Sequence, residues 1–190
     1  ESKWNFQIGT GNWGWGNNES QYYTNDSENA YIEDGKLIIQ AVHENFGGME
    51  YTSARLNTKN KGDWKYGKIE VRAKLPSGIG TWPAIWMLPT ENIYGGWPSS
   101  GEIDIMEHVG YNPYHVHGTI HTENNNGMDG TQIGGHIEIY DVFTEFHNYS
   151  IEWSEEYIKW YVDETQFFTY YNDNQNNANT WPYNEYFHLL

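Results

Sequence analysis

Alternation between apolar and polar side chains along the chain predicts many short β-strands. Strict alternation is typical of an antiparallel strand with one face exposed to solvent. Residues 66–75 show it, with apolar and charged side chains on opposite faces: Ile69, Val71, Ala73 and Leu75 against Lys68, Glu70, Arg72 and Lys74. Residues 36–42 follow the turn signal Asp34-Gly35 and predict another strand.

Further apolar or alternating segments, separated by Gly, Asn, Asp and Pro, extend this all-β pattern. They predict strands at residues 102–109, 115–122, 146–153, 157–162 and 167–171. Residues 81–88 are apolar nearly throughout, so we expect them to be buried on both faces or to lie beneath a ligand. The Asn-rich stretch 172–179 predicts a surface loop. Many short strands, with no apolar stripe for a long helix, favour two packed sheets in a sandwich or jelly roll.

Length and composition narrow the class of protein. A chain of 190 residues without an internal repeat or a linker predicts one domain, residues 1–190. The chain has no cysteine, so disulfide and thiolate chemistry are excluded. No apolar run approaches the ~18 residues that a membrane span needs, so we expect no membrane partner.

Charge and aromatic content favour a neutral carbohydrate as the ligand. The formal net charge is −16, which is the opposite of a nucleic-acid footprint and would repel a polyanionic substrate. The chain contains 10 Trp and 16 Tyr. Such rings have an apolar face and a polar edge, which suit the C–H faces and hydroxyl rims of sugars, although many are also expected to fill the core.

The run from Gly101 to His108 carries the candidate chemistry, because it places Glu102, Asp104 and Glu107 within one predicted strand. Two carboxyl groups on either side of a glycosidic bond are what its hydrolysis needs. In a regular strand residues 102, 104 and 106 share a face, and residue 107 points away. A β-bulge would bring Glu107 back to the common face. We therefore predict a bulge at Ile105 or Met106.

Within this cluster we predict that Glu102 is the nucleophile and Glu107 the general acid and then base, with Asp104 holding a proton or hydrogen bond between them. A carboxyl separation of about 5 Å implies retention of configuration, and about 8 Å implies inversion. We expect the shorter separation, since both groups come from one short strand. Crowding of like charges should raise at least one pKa. A solvated acidic strand edge and a Ca²⁺ site are the alternatives for a bare pattern of this kind.

The same run resembles the signature of glycoside hydrolase family 16, laminarinase (endo-β-1,3-glucanase) branch, in its bulged form. Neighbouring segments match in family order across nearly the whole chain: residues 13–24, 51–56, 82–89, 95–98 and 117–122. The resemblance implies a concanavalin-like β-jelly roll of two antiparallel sheets with an open substrate cleft. It implies retaining endo-hydrolysis of a neutral β-glucan, with the three carboxylates in the roles given above and no cofactor in catalysis.

The resemblance also implies the residues that contact the sugar. Trp86, Trp97 and His121 would line the cleft, and Asn17 and Arg55 would hydrogen-bond to sugar hydroxyls. From the residues alone, Arg55 also fits a structural ion pair. The histidines at 115, 117 and 121 share a strand parity that a zinc site could use, although the resemblance favours a hydrogen-bonding role for His121. Trp82 lies four residues before Trp86, so a regular strand would place both on one face, which could be cleft or core.

Some expectations follow from where this chain departs from the family. Members usually carry a strand before the segment matching Trp4-Asn-Phe6 and further strands after the one matching Phe187-His-Leu-Leu190. The family's structural calcium usually uses a carbonyl matching Gly35 together with residues from those ends, so the resemblance leaves calcium open. We expect a secreted monomer. The competing functions are hydrolysis of mixed-linkage glucan or agarose by a member of the same family, and glucan binding by a non-catalytic module.

Overall fold

The computed structural model describes residues 3–190, and the chain forms two compact units, Glu1–Lys61 and Gly62–Leu190. Among the described residues the one helical segment is Gly14–Asn18, a wide turn that contains left-handed residues. None of the described helices is long and apolar enough to cross a bilayer. The rest of the regular structure is β, as the alternation predicts.

The first unit contains three small sheets. Its seven strands are β1 (Asn5–Gln7), β2 (Gln21–Tyr23), β3 (Ala30–Glu33), β4 (Lys36–Ile39), β5 (Val42–Phe46), β6 (Met49–Ser53) and β7 (Arg55–Asn57). Strand β1 pairs with β7, β3 pairs with β4, and β6 lies between β2 and β5. The pair of β2 and β6 is parallel, whereas the other pairs are antiparallel.

The second unit contains two larger antiparallel sheets. Its strands are β8 (Asp63–Trp64), β9 (Gly67–Ala73), β10 (Ala84–Pro89), β11 (Glu102–His108), β12 (His115–His121), β13 (Ile133–Glu138), β14 (His147–Trp153), β15 (Tyr157–Val162), β16 (Thr165–Tyr171) and β17 (Phe187–Leu189). Six of them form a sheet in the order β13-β12-β11-β10-β17-β8. The other four form a sheet in the order β16-β15-β14-β9.

The core of the second unit lies between these two sheets. The six-stranded sheet contributes buried aliphatic side chains, and the four-stranded sheet contributes aliphatic and aromatic ones: Ile103, Ile105, Met106, Val116 and Ile120 against Tyr149, Ile151, Trp153, Ile158 and Trp160. The indole N–H of Trp160 donates to the backbone carbonyl of Asp104 over 2.8 Å and so ties β15 to β11. Burial of each large side chain contributes roughly 1.5–3 kcal/mol.

Most of the strands predicted from alternation are present. Strand β9 buries its apolar positions more than its charged ones and pairs with β14, while β14 and β15 form the predicted neighbouring pair. Residues 172–179 form the predicted loop. The Asp34-Gly35 turn joins β3 to β4 with positive φ at both residues, which is the geometry of a type I′ turn.

One strand prediction needs correction, and one expectation is narrowed. Residues 36–42 form not one strand but the whole of β4 and the first residue of β5, and the Asn29 side chain donates to the Gln40 carbonyl between them. Residues 81–88 are not buried on both faces, because Ile85 and Met87 point into the core while Trp86 and Leu88 lie on the partly exposed face. The alternative, that this segment lies beneath a ligand, stays a prediction. Strand β10 also begins at Ala84, after Pro83, which has no N–H to donate to a neighbouring strand.

Gly118, on β12, makes room for a core side chain of the opposite sheet. A Cβ at this position would lie 2.4 Å from Cδ1 of Trp160, so the indole occupies the space that any side chain would need. We expect Gly118→Ala to reduce the free energy of unfolding by about 1–3 kcal/mol through overpacking. Urea unfolding checks this, with Gly96→Ala as a control, because a Cβ there meets nothing within 4 Å. Equal stabilities of the two variants would contradict the packing argument.

Candidate active site

The predicted bulge lies in β11 between Asp104 and Glu107. On the side of β12, Asp104 pairs with Thr119 and Glu107 pairs with His117, so two residues of β11 face one of β12. On the side of β10, the adjacent residues Trp86 and Ile85 pair with Asp104 and Met106, so Ile105 has no partner there. The extra residue of the bulge on this side is therefore Ile105.

The bulge sorts the side chains of β11 into a core face and a carboxylate face. Ile105 and Met106 are both buried in the core. Glu102, Asp104 and Glu107 pair with residues of β12 that share one parity, and antiparallel partners project to the same face. We call this side of the six-stranded sheet the carboxylate face. It brings the three predicted catalytic residues together, as the parity conflict in the sequence requires.

The Glu102 carboxylate is held by an indole and lies close to an imidazole. Trp97 donates from Nε1 to Oε2 of Glu102 over 2.9 Å. The Nε2 atom of His121 lies 3.6 Å from Oε1 of Glu102, and the His121 ring packs against that of Trp97 with 5.7 Å between centroids. The predicted cleft residues Trp97 and His121 therefore both contact or adjoin Glu102.

The protonation of His121 is fixed by the loop that follows β12. The backbone N–H of Gly127 donates to Nδ1 of His121 over 3.1 Å, so this nitrogen is an acceptor. In a neutral imidazole the proton then lies on Nε2, which is 3.1 Å from Oδ2 of Asp104. That oxygen has no well-aligned hydrogen bond among the described residues, so the contact is close without being ideal. His121 thus presents an N–H to the carboxylate pair of Glu102 and Asp104.

Glu107 has a different partner from the other two carboxylates. Its Oε1 accepts from Nε1 of Trp82 over 3.0 Å. Trp82 precedes β10 and is half exposed, so it belongs to the site and not to the core. The spacing of Trp82 and Trp86 leaves cleft and core open for Trp82, and the structure places its indole N–H at Glu107 on the carboxylate face.

Burial raises the pKa of all three carboxyl groups. For Glu102 desolvation is the main cause, followed by repulsion from Asp104, while His121 and the Trp97 hydrogen bond lower its pKa in part. The pKa of Asp104 is raised well above its ordinary value by desolvation and by Glu107. Desolvation also raises the pKa of Glu107, against the opposing effect of the Trp82 hydrogen bond. The site therefore favours at least one protonated carboxyl group at neutral pH.

Asp104 is the most buried member, with only 4% of its side chain exposed. We expect Asp104→Asn to raise the free energy of unfolding at pH 7 by about 1–3 kcal/mol, because the buried carboxyl group must either stay ionised with incomplete hydrogen bonding or take up a proton when the protein folds, whereas Asn does neither. Since the folded-state pKa lies above the unfolded value of about 3.9, the carboxyl group is protonated in both states at lower pH and the gain disappears there. As pH rises through the folded-state pKa, wild type loses stability and the gain becomes complete. Urea unfolding at pH 3 and pH 7 measures it.

Asp163 provides the control of opposite sign. Partial burial raises its pKa. The hydrogen bonds from the N–H of Asn148 and the side chain of His147 together lower it by more, so the net shift is downward. Asp163→Asn should therefore destabilise the protein at pH 7 and have little effect below the folded-state pKa of Asp163. The same direction of change at pH 7 in both Asn variants would contradict the assignment.

A buried tyrosine and a partly exposed tryptophan adjoin the three carboxylates. The Tyr183 hydroxyl donates to the His121 carbonyl over 2.8 Å and lies 3.2 Å from the carbonyl of Glu102. Residues Glu102 and His121 are direct partners across β11 and β12, so Tyr183 fixes both ends of this pair. Trp86 pairs with Asp104 across β10 and β11 and lies on the carboxylate face, where the resemblance predicts it.

Asn17 and Arg55 belong to the first unit, where only local contacts are described. Asn17 is exposed in the Gly14–Asn18 turn. Arg55 stacks over the Trp15 ring at 4.4 Å and donates from Nε to Oε1 of Gln7 over 2.6 Å. Their contact with sugar hydroxyls stays a prediction. Gly35 offers one turn carbonyl, whereas Ca²⁺ takes six to eight oxygen ligands, so calcium also stays open.

A metal site is another interpretation of the acidic run. Among residues 3–190, one group of histidine and carboxylate ligand atoms lies within 4.8 Å of one another, formed by Glu102, Asp104 and His121. Its members already contact one another, and Trp97 and Gly127 hydrogen-bond to two of them. We therefore interpret the group as an acid–base cluster.

Some site residues carried little signal in the sequence. Trp82 was marked by its distance from Trp86, but the spacing alone did not show that its indole reaches Glu107. Tyr183 reaches the carbonyls of Glu102 and His121 over 81 and 62 positions of the chain, and Gly127 acts through its backbone N–H, so neither residue type marked the contact in the sequence. His136, on β13, pairs directly with His117, and no sequence pattern linked the two.

The family model described as glycosyl hydrolases family 16 matches residues 12–188. The beta-glucanase of Rhodothermus marinus is 51% identical over 99% of this chain, which spans 68% of that protein. Glucan endo-1,3-beta-glucosidase A1 of Niallia circulans is 41% identical over the whole chain, which spans 31% of that protein. The chain therefore corresponds to a part of these relatives.

Solved structures give the same result for the fold. The laminarinase from Rhodothermus marinus has a TM-score of 0.95 at 50% identity, covering 99% of this chain and 77% of that one. The laminarinase catalytic domain from Thermotoga maritima MSB8 has a TM-score of 0.91 at 42% identity, covering 99% of this chain and 78% of that one. These likenesses confirm the predicted β-jelly-roll sandwich.

Proposed function

We propose, from the premise that the chain belongs to glycosyl hydrolase family 16, that it is a retaining endo-1,3-β-glucanase acting on laminarin-type glucans. The observation that carries this proposal is the carboxylate face. It gathers Glu102, Asp104 and Glu107 on one side of a bulged strand and gives two of them an indole donor. A neutral glucan also suits a chain of net charge −16.

In the first step the Glu102 carboxylate attacks the anomeric carbon, while Glu107 transfers its proton to the departing glycosidic oxygen. The bond to the leaving sugar breaks as the glycosyl–Glu102 ester forms. In the second step Glu107 removes a proton from water, and the resulting hydroxide displaces Glu102 from the anomeric carbon. Two displacements restore the original configuration, and no cofactor is needed.

The roles of the carboxylates are supported by their partners. Burial raises the pKa of Glu102 well above its ordinary value, and the N–H groups of Trp97 and His121 offset this in part, so they favour the ionised form that nucleophilic attack needs. Asp104, whose pKa is raised well above its ordinary value by burial, can keep a proton and share it with Glu102. Glu107 has one indole donor, and desolvation raises its pKa, as a general acid near neutral pH requires.

The substrate is supported by the functions of similar proteins. The Rhodothermus and Thermotoga structures are laminarinases, and the Niallia protein is a glucan endo-1,3-beta-glucosidase. A second candidate is a broader activity that includes mixed-linkage glucan. It is favoured by 40% identity to SCLam, which is described as a non-specific endo-beta-1,3(4)-glucanase.

Agarose hydrolysis and a purely binding function have less support. Agarose hydrolysis has no observation in its favour among these relatives. A non-catalytic module is suggested by 37% identity to a beta-1,3-glucan-binding protein of Penaeus monodon, but this chain keeps all three acids on one face. We further propose that the protein acts outside the cell, since polymeric glucan cannot enter the cell intact. We also propose that it acts as a monomer, because one chain supplies all three acids.

Product analysis on laminarin, lichenan and agarose tests the proposal. Laminarin should give the fastest release of reducing ends, with oligosaccharides as early products. NMR of the first product should show the β-anomer before mutarotation. Early α-anomer would exclude retention, and hydrolysis of agarose alone would exclude a glucanase. Binding to laminarin without hydrolysis would favour the module.

A further inference from the structure

Three histidines lie together on the carboxylate face beyond Glu107. His115 and His117 are two residues apart on β12 and project to the same side, and His117 pairs directly with His136 on β13. The ring centroids are 5.0 Å apart for His115 and His136, 5.7 Å for His117 and His136, and 6.3 Å for His115 and His117. The proposed mechanism uses none of these side chains.

We infer that His115, His117 and His136 form a binding site for a divalent transition metal of the Zn²⁺ type. Three imidazoles with water in the fourth position are one of the donor sets that Zn²⁺ takes in proteins. The sequence alone suggested a zinc site with His121 as the third member. In the structure His121 faces Asp104 instead, and His136 of the neighbouring strand takes its place.

The ring spacings fit a shared ion. With Zn–N bonds of about 2.0–2.1 Å, two imidazoles on one tetrahedral ion have centroids about 5.2 Å apart. The two pairs that include His136 lie within about 0.5 Å of this value, and the third pair is about 1 Å wider. The nitrogens of the three rings do not all lie within 4.8 Å of one another. Binding therefore requires the rings of His117 and His136 to rotate about χ2, a soft torsion in histidine, until their nitrogens face a common point.

A carboxylate next to His115 completes the arrangement. Oε1 of Glu138 lies 3.6 Å from Nε2 of His115, its direct partner across β12 and β13. The Nδ1 atom of the same ring is buried and has no hydrogen-bond partner. A carboxylate on one ring nitrogen, with the other nitrogen on the metal, is the usual outer shell of a zinc-bound histidine. Glu138 therefore leaves Nδ1 as the ligand atom of His115.

Charge and exposure favour occupation by a cation. The chain carries a net charge of −16, which raises the local concentration of divalent ions. His115 and His117 are partly buried, and His136 is exposed to solvent. Imidazole donors select Zn²⁺, Cu²⁺ or Ni²⁺ over Ca²⁺ and Mg²⁺.

Calorimetric titration of the untagged chain with ZnCl₂ at pH 7.5 tests the inference. Wild type should bind about one ion, His136→Ala should lose roughly tenfold or more in affinity, and Glu138→Gln should lose roughly tenfold to a hundredfold. His43→Ala is the matched control, because His43 is an exposed strand histidine of the first unit and should leave binding unchanged. Thermal unfolding without zinc shows that each variant is folded.

Glu102→Gln separates this site from the acid–base cluster. If zinc binding survives in Glu102→Gln and is lost in His136→Ala, the histidine site is supported. If binding is lost in Glu102→Gln and kept in His136→Ala, the ion occupies the carboxylates, and the inference is wrong. Absence of saturable binding in wild type overturns it as well. Binding is measured without substrate, so failure here and failure of the proposed hydrolysis are distinguishable.

Discussion

Glu102→Ala is expected to reduce hydrolysis of laminarin on the order of 10⁴-fold or more, while oligosaccharide binding persists. The nucleophile forms the covalent bond of the first step. Among the described carboxylates of this face, Glu102 is the one with both an indole donor and a neighbouring imidazole. Reducing-end assays give the rate, and calorimetry with laminarin oligosaccharides gives the affinity.

Rescue by azide tests the role of Glu102 and not merely its importance. The truncated side chain leaves room for a small anion, which attacks the anomeric carbon from the face that Glu102 occupied. A single displacement then yields an α-glycosyl azide from an activated β-glucoside donor. Formation of a β-glycosyl azide would assign Glu102 as the acid/base, and undiminished hydrolysis without azide would remove it from the mechanism.

Glu107→Ala is expected to reduce hydrolysis of laminarin about 10²–10⁴-fold, with a much smaller loss in the first step for an aryl glucoside that has a good leaving group. The difference arises because a leaving group of low pKa departs without protonation. Azide in this variant should give the β-glycosyl azide, since the anion then attacks the ester on Glu102 from the opposite face. Equal losses on both substrates would contradict the role of general acid.

Trp82→Phe is the control for these two variants. It removes the indole N–H that reaches Glu107 but keeps an aromatic ring and all three carboxyl groups. Because that hydrogen bond lowers the pKa of Glu107, its loss should move the alkaline limb of the pH–rate profile upward. A profile that does not move would mean that Glu107 does not set this limb.

The sequence predicted the catalytic strand more fully than the strands around it. Glu102 and Glu107 could share a face only if an extra residue lay between them, so strand parity alone located the bulge at Ile105 or Met106. The structure confirms it. Parity is a local property with a period of two, and for this reason it can be evaluated from the sequence without knowledge of the partners.

Features that depend on distant partners were not predictable in this way. Strand β13 contains Gly134 and Gly135, which lower strand propensity, yet both are needed because the Gly118 carbonyl and Phe168 lie within 3 Å of where their Cβ atoms would be. Likewise, Tyr183 reaches Glu102 across 81 positions of the chain. Only the folded structure brings these pairs together.

The bulge also shows how this strand can tolerate a change in length. Removal of one residue between Asp104 and Glu107 would give an acid at every second position, and all three would still project to one side. Loss of this residue therefore keeps the three carboxyl groups on the face that meets the substrate and removes one side chain from the interior. Ile105 and Met106 both point inward, opposite Gly118, where there is no side chain. In related chains, the length of the catalytic strand should accordingly vary together with the size of the residue at the position of Gly118.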